Sequence, residues 1–356
     1  MTSLVTGSTG FLGTTVVEQL CGAGTPHVRC FVRPSSDRSN LRQIQNKYPA
    51  SDLQFIEGNL LSVSDAAAAT KGVETVYHLA AEMRGPAPSV FANTVVTSRN
   101  LLEGITKQGV RRVVLASSIC VYALSKVPRQ AAVTETTELE SYPERRDVYT
   151  FAKVKQDLIV QQYRRDHSFE LVILRPGIIY GEGANLLPSR AGLRLGNLIL
   201  EIAGKNQLPL THVTNCAKAF TLAGNRDVLP EGSYNIVDDD LPTVAEYHSL
   251  YRSFSKSPFR IRIPFWLAML LSFVSEDYHA HSMGQIPAVL TPYRLKAGWG
   301  GHRFSNEKLK TVGWTPSVST HDGLLRTLRA SCSTKPSTIS ETLVTQLQPS
   351  MARNEN

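Results

Sequence analysis

The sequence predicts an α/β fold, a doubly wound parallel sheet covered by helices on both faces, with a smaller C-terminal lobe. Three observations carry this. Short apolar runs alternate with amphipathic stretches from the N-terminus to about residue 180. Several runs, among them Arg112–Ser117 and Leu171–Pro176, are unbroken rather than alternating, as in strands buried on both faces. The first run ends in Gly7-Ser8-Thr9-Gly10-Phe11-Leu12-Gly13, a glycine-punctuated turn that opens a helix. Sheets of this kind bind ligands beyond the carboxyl ends of their strands.

The elements follow in order. Leu4 and Val5 lead into the turn, where Gly7 takes its backbone angles, Gly10 lets a phosphate approach the main chain, and Gly13 lets the helix pack close to the strand. Thr14–Leu20 is the helix, and its N-terminal amides and dipole face an anion such as a dinucleotide pyrophosphate. His27–Arg33 reads as a second strand, Pro34–Ser39 as a polar loop and Leu53–Gly58 as a third strand. Ser64–Thr70 is a short alanine-rich helix, Val73–Ala80 a fourth strand and Ser89–Gln108 a long helix. Arg112–Ser117, helical Val148–Arg164 and Leu171–Pro176 complete the alternation, which the proline stops.

From about Leu186 the pattern loosens, with a strand at Gly232–Val237 and a helix at Thr243–Ser255. Residues 1–185 are thus expected to form a dinucleotide-binding domain of Rossmann type. Residues 186–330 form a substrate lobe interleaved with the main sheet, and 331–356, rich in Ser, Thr, Gln and Asn, a disordered tail. Pro264–Val274 is strongly apolar but too short for a membrane span. It reads as a buried or lid helix, or else as an apolar wall for a greasy substrate or a patch touching a membrane surface.

Composition excludes several classes. The net charge of +8 is spread over scattered basic residues with no Lys/Arg block, so nucleic acid is not an expected partner. The five cysteines show no CxxC pair and no metal-ligand spacing, which points to reduced thiols, no metal and a cytoplasmic setting. The first strand starts within a few residues of Met1, and no signal peptide is expected before it.

The chemistry centres on Tyr149 and Lys153, at i and i+4 on one helix face. A free phenol has a pKa of about 10, and a neighbouring ammonium favours its phenolate and brings proton transfer within range. Ser117-Ser118 ends a strand on the same rim, where a hydroxyl can hold a substrate alcohol or carbonyl oxygen.

From about Leu4 to Leu328 the chain resembles the extended short-chain dehydrogenase/reductase family, which includes sugar-nucleotide epimerases and dehydratases, dihydroflavonol reductases and 3β-hydroxysteroid dehydrogenases. Thr6–Gly13 resembles its TGxxGFLG fingerprint, His78-Leu79-Ala80-Ala81 its HLAA strand end, and Ser117–Tyr122 its SSxxVY motif. Tyr149–Lys153 matches YxxxK, Arg175–Gly181 is similar to RPxxIYG, and Thr211-His212-Val213 and Gly313–Pro316 resemble later landmarks. The resemblance implies Ser118, Tyr149 and Lys153 as the catalytic set, supported by Asn93. It implies a cofactor held by Gly7, Thr9, Gly10, Phe11, Leu12 and Gly13, by Leu79, Ala80 and Ala81, by Lys153, and by Pro176, Gly177 and Ile178. It also implies Asn59 and Leu60, although the usual GDL is Gly58-Asn59-Leu60 here. Two more departures are Thr214-Asn215 in the HVDD segment and Ala152 before the lysine. None removes a group from the catalytic set. A homodimer through Ser89–Gln108 and Val148–Arg164 is a further implication.

The expected function is NAD(P)-dependent interconversion of a secondary alcohol and a carbonyl. The apolar 264–274 segment resembles that of 3β-hydroxysteroid dehydrogenase-like proteins and allows a lipid-like substrate. A nucleotide-sugar epimerase with tightly bound NAD(P) is the alternative, with Arg190, Arg194 and Lys205 meeting a diphosphate. A non-catalytic dinucleotide sensor is less favoured, because the catalytic set is intact. The second strand ends Phe31-Val32-Arg33, with Arg38 close by and no carboxylate before Asp37. A guanidinium suits a 2′-phosphate, so NADP is expected ahead of NAD. Arg33→Ala should therefore weaken NADPH binding far more than NADH binding in fluorescence titrations. Equal losses would exclude a phosphate role for Arg33.

Overall fold

The computed structural model describes residues 1–184, 188–254, 259–282 and 290–333. Fourteen strands and twelve α-helices follow one another along these residues. Its centre is a seven-stranded sheet built from β1 (Thr2–Thr6), β2 (His27–Val32), β3 (Asp52–Glu57), β4 (Thr75–His78), β5 (Arg112–Ala116), β7 (Glu170–Pro176) and β12 (Gly232–Ile236). The order is β12-β7-β5-β4-β1-β2-β3, and every pairing is parallel. The chain winds outward from β1 to β3, then returns to lay β4 on the other side of β1. The crevice between the ends of β1 and β4 is the switch point where open sheets of this kind take ligands.

Successive strand residues face opposite sides. Leu4, Val76, Val113, Leu115, Leu171 and Ile173 pack beneath α3 (Val63–Thr70), α5 (Thr97–Gln108) and α6 (Val148–Asp166). Val5, Tyr77, Val114, Val172 and Leu174 pack against α1 (Phe11–Gly22), α2 (Ser39–Lys47) and α7 (Val213–Ala223). Both faces are therefore dry, which is why these strands read as unbroken apolar runs.

Some elements differ from expectation. Helix α2 lies where only a polar connection was legible: Leu41 and Ile44, three residues apart, are its two buried residues. Helix α7 is likewise unanticipated, its first turn capped by the His212 side chain. Strand β4 is shorter than Val73–Ala80, because Leu79 and Ala80 leave the ladder to turn toward the glycine loop. The long helix begins as α4 (Ala87–Phe91) and passes through a π-helical turn (Ala92–Val96) into α5. Within that stretch the Ser98 and Thr97 hydroxyls donate to the carbonyls of Thr94 and Asn93. Side-chain donors competing for helix carbonyls accompany such local widening.

Short β6 (Ala132–Val133) pairs with β14 (Arg303–Phe304), and β8 (Ile178–Tyr180) with β11 (Leu210–His212). A three-stranded sheet, β13-β10-β9 (Phe259–Ile263, Leu198–Ile202, Leu193–Leu195), lies apart from the main one. Helices α8 (Val244–Phe254), α9 (Phe265–His281), α10 (Pro292–Trp299), α11 (Glu307–Lys310) and α12 (Thr320–Ser333) fill out this portion. Residues 331–333 of the expected tail end α12, and the remainder lies outside the described residues.

The apolar 264–274 segment forms the N-terminal part of α9, but the helix is not buried. Only Ala268 and Ser272 are fully covered, while Trp266 is 68% exposed and Leu270, Leu271, Phe273 and Val274 are exposed with it. The small residues face α10, so the large ones are left outside.

Gly13 is the tightest point of the sheet–helix packing. A Cβ there would lie 2.0 Å from the Gly7 carbonyl oxygen and 2.9 Å from Ser8 Cα. Gly13→Ala should therefore force β1 and α1 apart, costing about 1–3 kcal/mol in chemical denaturation and most of the NAD(P)H affinity. A Gly13→Ala protein with unchanged stability and affinity would contradict this packing.

Candidate active site

β1 carries the chain to Thr6, and Gly7 then turns with φ +70°, a left-handed conformation that favours glycine. A Cβ at Gly7 would lie 2.8 Å from the Ala80 nitrogen, so the turn is pressed against the segment leaving β4. Gly10 is the N-cap of α1, with no side-chain cap and no acid in the first turn. The amides of Phe11, Leu12 and Gly13 precede the first intrahelical bond, Thr14 N–H to Gly10 carbonyl. Bare amides at the positive end of a helix, beside a cradle that any Cβ would fill, fit a dinucleotide pyrophosphate. Thr9 lies on this turn, and the Ser8 hydroxyl fastens it to β2 by donating to Phe31 O at 3.0 Å.

The other expected cofactor residues lie at or just beyond the carboxyl ends of β3, β4 and β7. Leu79 donates its N–H to Thr6 O, and Ala80 and Ala81 follow it, partly exposed. Asn59 uses its Oδ1 to accept from Leu61 N at 3.0 Å, and its own N–H is held by Asp65, while Leu60 is buried. Pro176, Gly177 and Ile178 leave β7. Gly177 N–H goes to Ile236 O, and a Cβ there would lie 2.2 Å from Pro209 O.

Arg33 follows the end of β2, exposed, with Nη2 3.3 Å from Asn93 Oδ1. A carboxylate does stand nearby, on the neighbouring strand: Glu57 is in register with Val32, and Arg38 holds it at 2.5 Å. Asp37 instead caps the start of α2 through Ser39. Register between β2 and β3 is a tertiary fact, which is why Glu57 was not legible as a rim residue.

Ser118, Tyr149 and Lys153 come together beyond β5. The Ser117 hydroxyl turns inward to Asp157 Oδ2 at 2.7 Å, and Ser118, partly exposed, keeps its hydroxyl on the site side. The Ser118 oxygen accepts from Cys120 N at 3.2 Å and faces the Tyr149 phenol. Asp147 caps α6 by accepting from Thr150 N at 2.9 Å, which fixes the turn that bears Tyr149. Lys153 is buried and donates 2.8 Å bonds to Ala116 O and Gln156 Oε1.

Burial, with Cys120 next to it, pushes the Tyr149 phenol above its ordinary value, while the bond to Ser118 works the other way. Burial lowers the Lys153 ammonium to about 8, against Cys120 and Asp157, which raise it. The ammonium is turned toward Ala116 O and Gln156, and the phenol stands above its ordinary value rather than below it.

Asn93 does not join this set. Its Nδ2 donates to Glu82 Oε2 at 2.7 Å and Ser89 O at 3.2 Å, and its Oδ1 faces Arg33. Arg190 approaches the site from the second lobe, within electrostatic reach of Cys120, Asp147 and Arg146. Arg194 instead bonds locally to Gly196 O and Lys205 is exposed, so the three cations do not converge. Sequence reading missed the frame beneath: Asp157 binds Ser117 and Arg175, and Arg175 reaches the Tyr122 hydroxyl, which donates to Asn235 Oδ1 at 2.6 Å. Asp157 lies at i+4 from Lys153, the one signal in the sequence that places it on this face.

Comparison with known proteins agrees with the geometry. The model of the NAD dependent epimerase/dehydratase family matches residues 3–236. Human sterol-4-alpha-carboxylate 3-dehydrogenase, decarboxylating, is 26% identical over 92% of this chain and 87% of its own. An uncharacterized UDP-glucose epimerase of Bacillus subtilis is 26% identical over 72% of this chain and 82% of its own. The UDP-glucose 4-epimerase of Thermus thermophilus, solved with NAD, has the same fold, with a TM-score of 0.65 at 21% identity over 93% of this chain and 98% of that one.

Proposed function

The chain belongs to the NAD-dependent epimerase/dehydratase family and is an enzyme of the extended short-chain dehydrogenase/reductase class; from that premise we propose that it interconverts a secondary alcohol and a carbonyl through Ser118, Tyr149 and Lys153. The observation that carries this is the Ser118 oxygen facing the Tyr149 phenol, one helical turn from Lys153, whose ammonium reaches Ala116 O at the end of β5. When bound, the nicotinamide supplies or accepts the hydride. Ser118 Oγ then orients the substrate oxygen, and the Tyr149 phenol gives its proton to that oxygen in reduction or takes it back in oxidation. Lys153, with two of its three N–H groups engaged, has one left for the cofactor ribose.

We favour NADP over NAD on the exposed Arg33 guanidinium at the β2 end and the occupation of Glu57 by Arg38. The relatives' names leave two substrate classes. The sterol dehydrogenase resemblance and the apolar surface beside α9 favour a lipid-like hydroxyl or ketone over a nucleotide sugar, and Arg190 alone of the three proposed diphosphate cations lies near the site. A homodimer through α5 and α6 is part of the same reading.

Peripheral membrane contact belongs to it too. No helix among the described residues is long and apolar enough to cross a membrane. Trp266, Leu270, Phe273 and Val274 nevertheless form one outward stripe on α9, at spacings of three and four. Phe259, 71% exposed, and Ile261 extend the apolar surface along β13.

Tyr149→Phe should abolish carbonyl-dependent NADPH oxidation while leaving NADPH affinity within about threefold; unchanged turnover would exclude the mechanism. Cofactor retained through purification, with no net NADPH use, would favour the epimerase. Trp266→Ser with Phe273→Ser should cut co-sedimentation with phospholipid vesicles by at least tenfold, given about 1.5–3 kcal/mol for each large side chain removed from water. Equal sedimentation of both proteins would exclude the α9 stripe as the contact.

A further inference from the structure

Lys153 stands at one end of a buried chain of hydrogen bonds that crosses beneath the crevice. Gln156 Oε1 accepts from Lys153 Nζ at 2.8 Å, and Gln156 Nε2 donates to Ser98 Oγ at 2.7 Å. Ser98 Oγ lies 2.7 Å from His78 Nε2, and His78 Nδ1 lies 2.7 Å from Thr6 Oγ1. Thr6 Oγ1 accepts, at 3.4 Å, from the N–H of Ala80, the residue against which Gly7 is pressed. All five side chains are fully buried.

The donors and acceptors can be assigned. The Ser98 proton goes to Thr94 O, so its oxygen must accept from both Gln156 and His78. His78 therefore carries its proton on Nε2, and Nδ1 accepts from Thr6. Burial, with the Lys153 charge next, drives His78 down to about 3 and keeps it neutral, as this assignment needs. The donors converge on Ser98 Oγ, from Lys153 through Gln156 on one side and from the Ala80 N–H through Thr6 and His78 on the other. The chain ends at the buried Thr6 rather than in solvent, so it orients groups and does not export protons.

We infer that Gln156 is a positioning residue for Lys153: with Ala116 O it holds two of the three ammonium N–H groups and aims the third at the cofactor crevice, and through Ser98, His78 and Thr6 it ties that aim to the turn that carries Gly7. The inference rests on the Ser118–Tyr149–Lys153 reading. Gln156 completes the helix face already marked by Tyr149 and Lys153, at i, i+4 and i+7. A neutral amide suits the place. It accepts from the ammonium without neutralising it, and its other end offers the donor that Ser98 needs. A carboxylate there would lose that donor, and an alkyl group would lose both.

The titratable groups that face Lys153 are Cys120 from the turn after β5, Asp157 on its own helix, and His78 from β4, which stays neutral. None of them is removed by substitution at 156: Gln156→Met takes away the amide's acceptor and donor, and Gln156→Glu adds a carboxylate in their place. Binding of NADPH is followed by fluorescence from pH 6 to 10 for the full-length protein and for Gln156→Met, Gln156→Glu and Lys153→Met. Wild-type affinity should fall as pH rises through the lysine pKa, since the charged donor is the stronger one. Gln156→Met, matched in size but without an acceptor, should bind roughly tenfold more weakly and lose affinity about one pH unit lower. Gln156→Glu should lose it about one unit or more higher, because a carboxylate beside the ammonium favours its charged form. Opposite shifts are the signature, since a merely structural defect would weaken binding without moving the midpoint in two directions. If Gln156→Met does not fold, Gln156→Leu, which also lacks an acceptor, is read in its place. Unmoved midpoints, or both moving the same way, overturn the inference while leaving the catalytic reading intact if Lys153→Met is impaired. Lys153→Met with wild-type binding and turnover overturns both.

Discussion

The carbonyl of Gly7 and the backbone of Gly13 meet with no room for a side-chain carbon between them, and much else depends on that contact. It sets how closely α1 lies on β1. The first-turn amides stay bare at the mouth of the crevice, since the N-cap, Gly10, has no side chain to cover them. The other side of the turn is pressed on Ala80, so strand β4 must end early and send Leu79–Ala81 along the rim. A bulkier residue at either glycine would therefore disturb the helix, the rim and the ligand amides together.

Under the opposite end of the crevice lies a polar frame where an apolar core would be the cheaper solution. Arg175 and Asp157 are a buried ion pair, and such pairs seldom add net stability over apolar residues of similar size. Here the pair occupies one hydroxyl of the Ser117-Ser118 dipeptide and so settles which serine faces the site. The Gln156 chain does the corresponding work for Lys153. Both networks are paired within protein, as buried polar groups must be, and both fix rotamers next to the proposed site. The titration behaviour follows: burial raises the phenol, which keeps it neutral, and lowers the ammonium to about 8.

Helix α9 follows a different rule. The α9 helix spends its small residues, Ala268 and Ser272, on packing and turns its large apolar side chains outward. An ordinary surface helix does the reverse. Its exposed stripe and the open face of β13 together make an apolar surface larger than scattered exposed residues would give, which is the kind of surface that meets a lipid phase or another apolar partner.

The sequence by itself determined the sheet and the glycine turn, because these depend on local periodicity and on short spacings along one element; the choice of Ser118, Tyr149 and Lys153 rests on the i, i+4 spacing and on the family resemblance. Strand runs buried on both faces are apolar throughout, and a residue four places on shares a helix face wherever the helix lies. It did not reveal α2, whose two buried residues leave almost no periodic signal, nor the π-helical turn before α5, which shifts the face of Asn93 toward Arg33 and Glu82. Only the tertiary structure decided which partner each polar group takes: Ser117 with Asp157, Lys153 with Gln156, Glu57 with Arg38. It also decided that the apolar 264–274 segment faces outward. The reason is the same in each case. Hydrophobic pattern records how much of an element is apolar, whereas hydrogen-bond partners and the direction of an all-round apolar helix are set by what other parts of the chain bring against it.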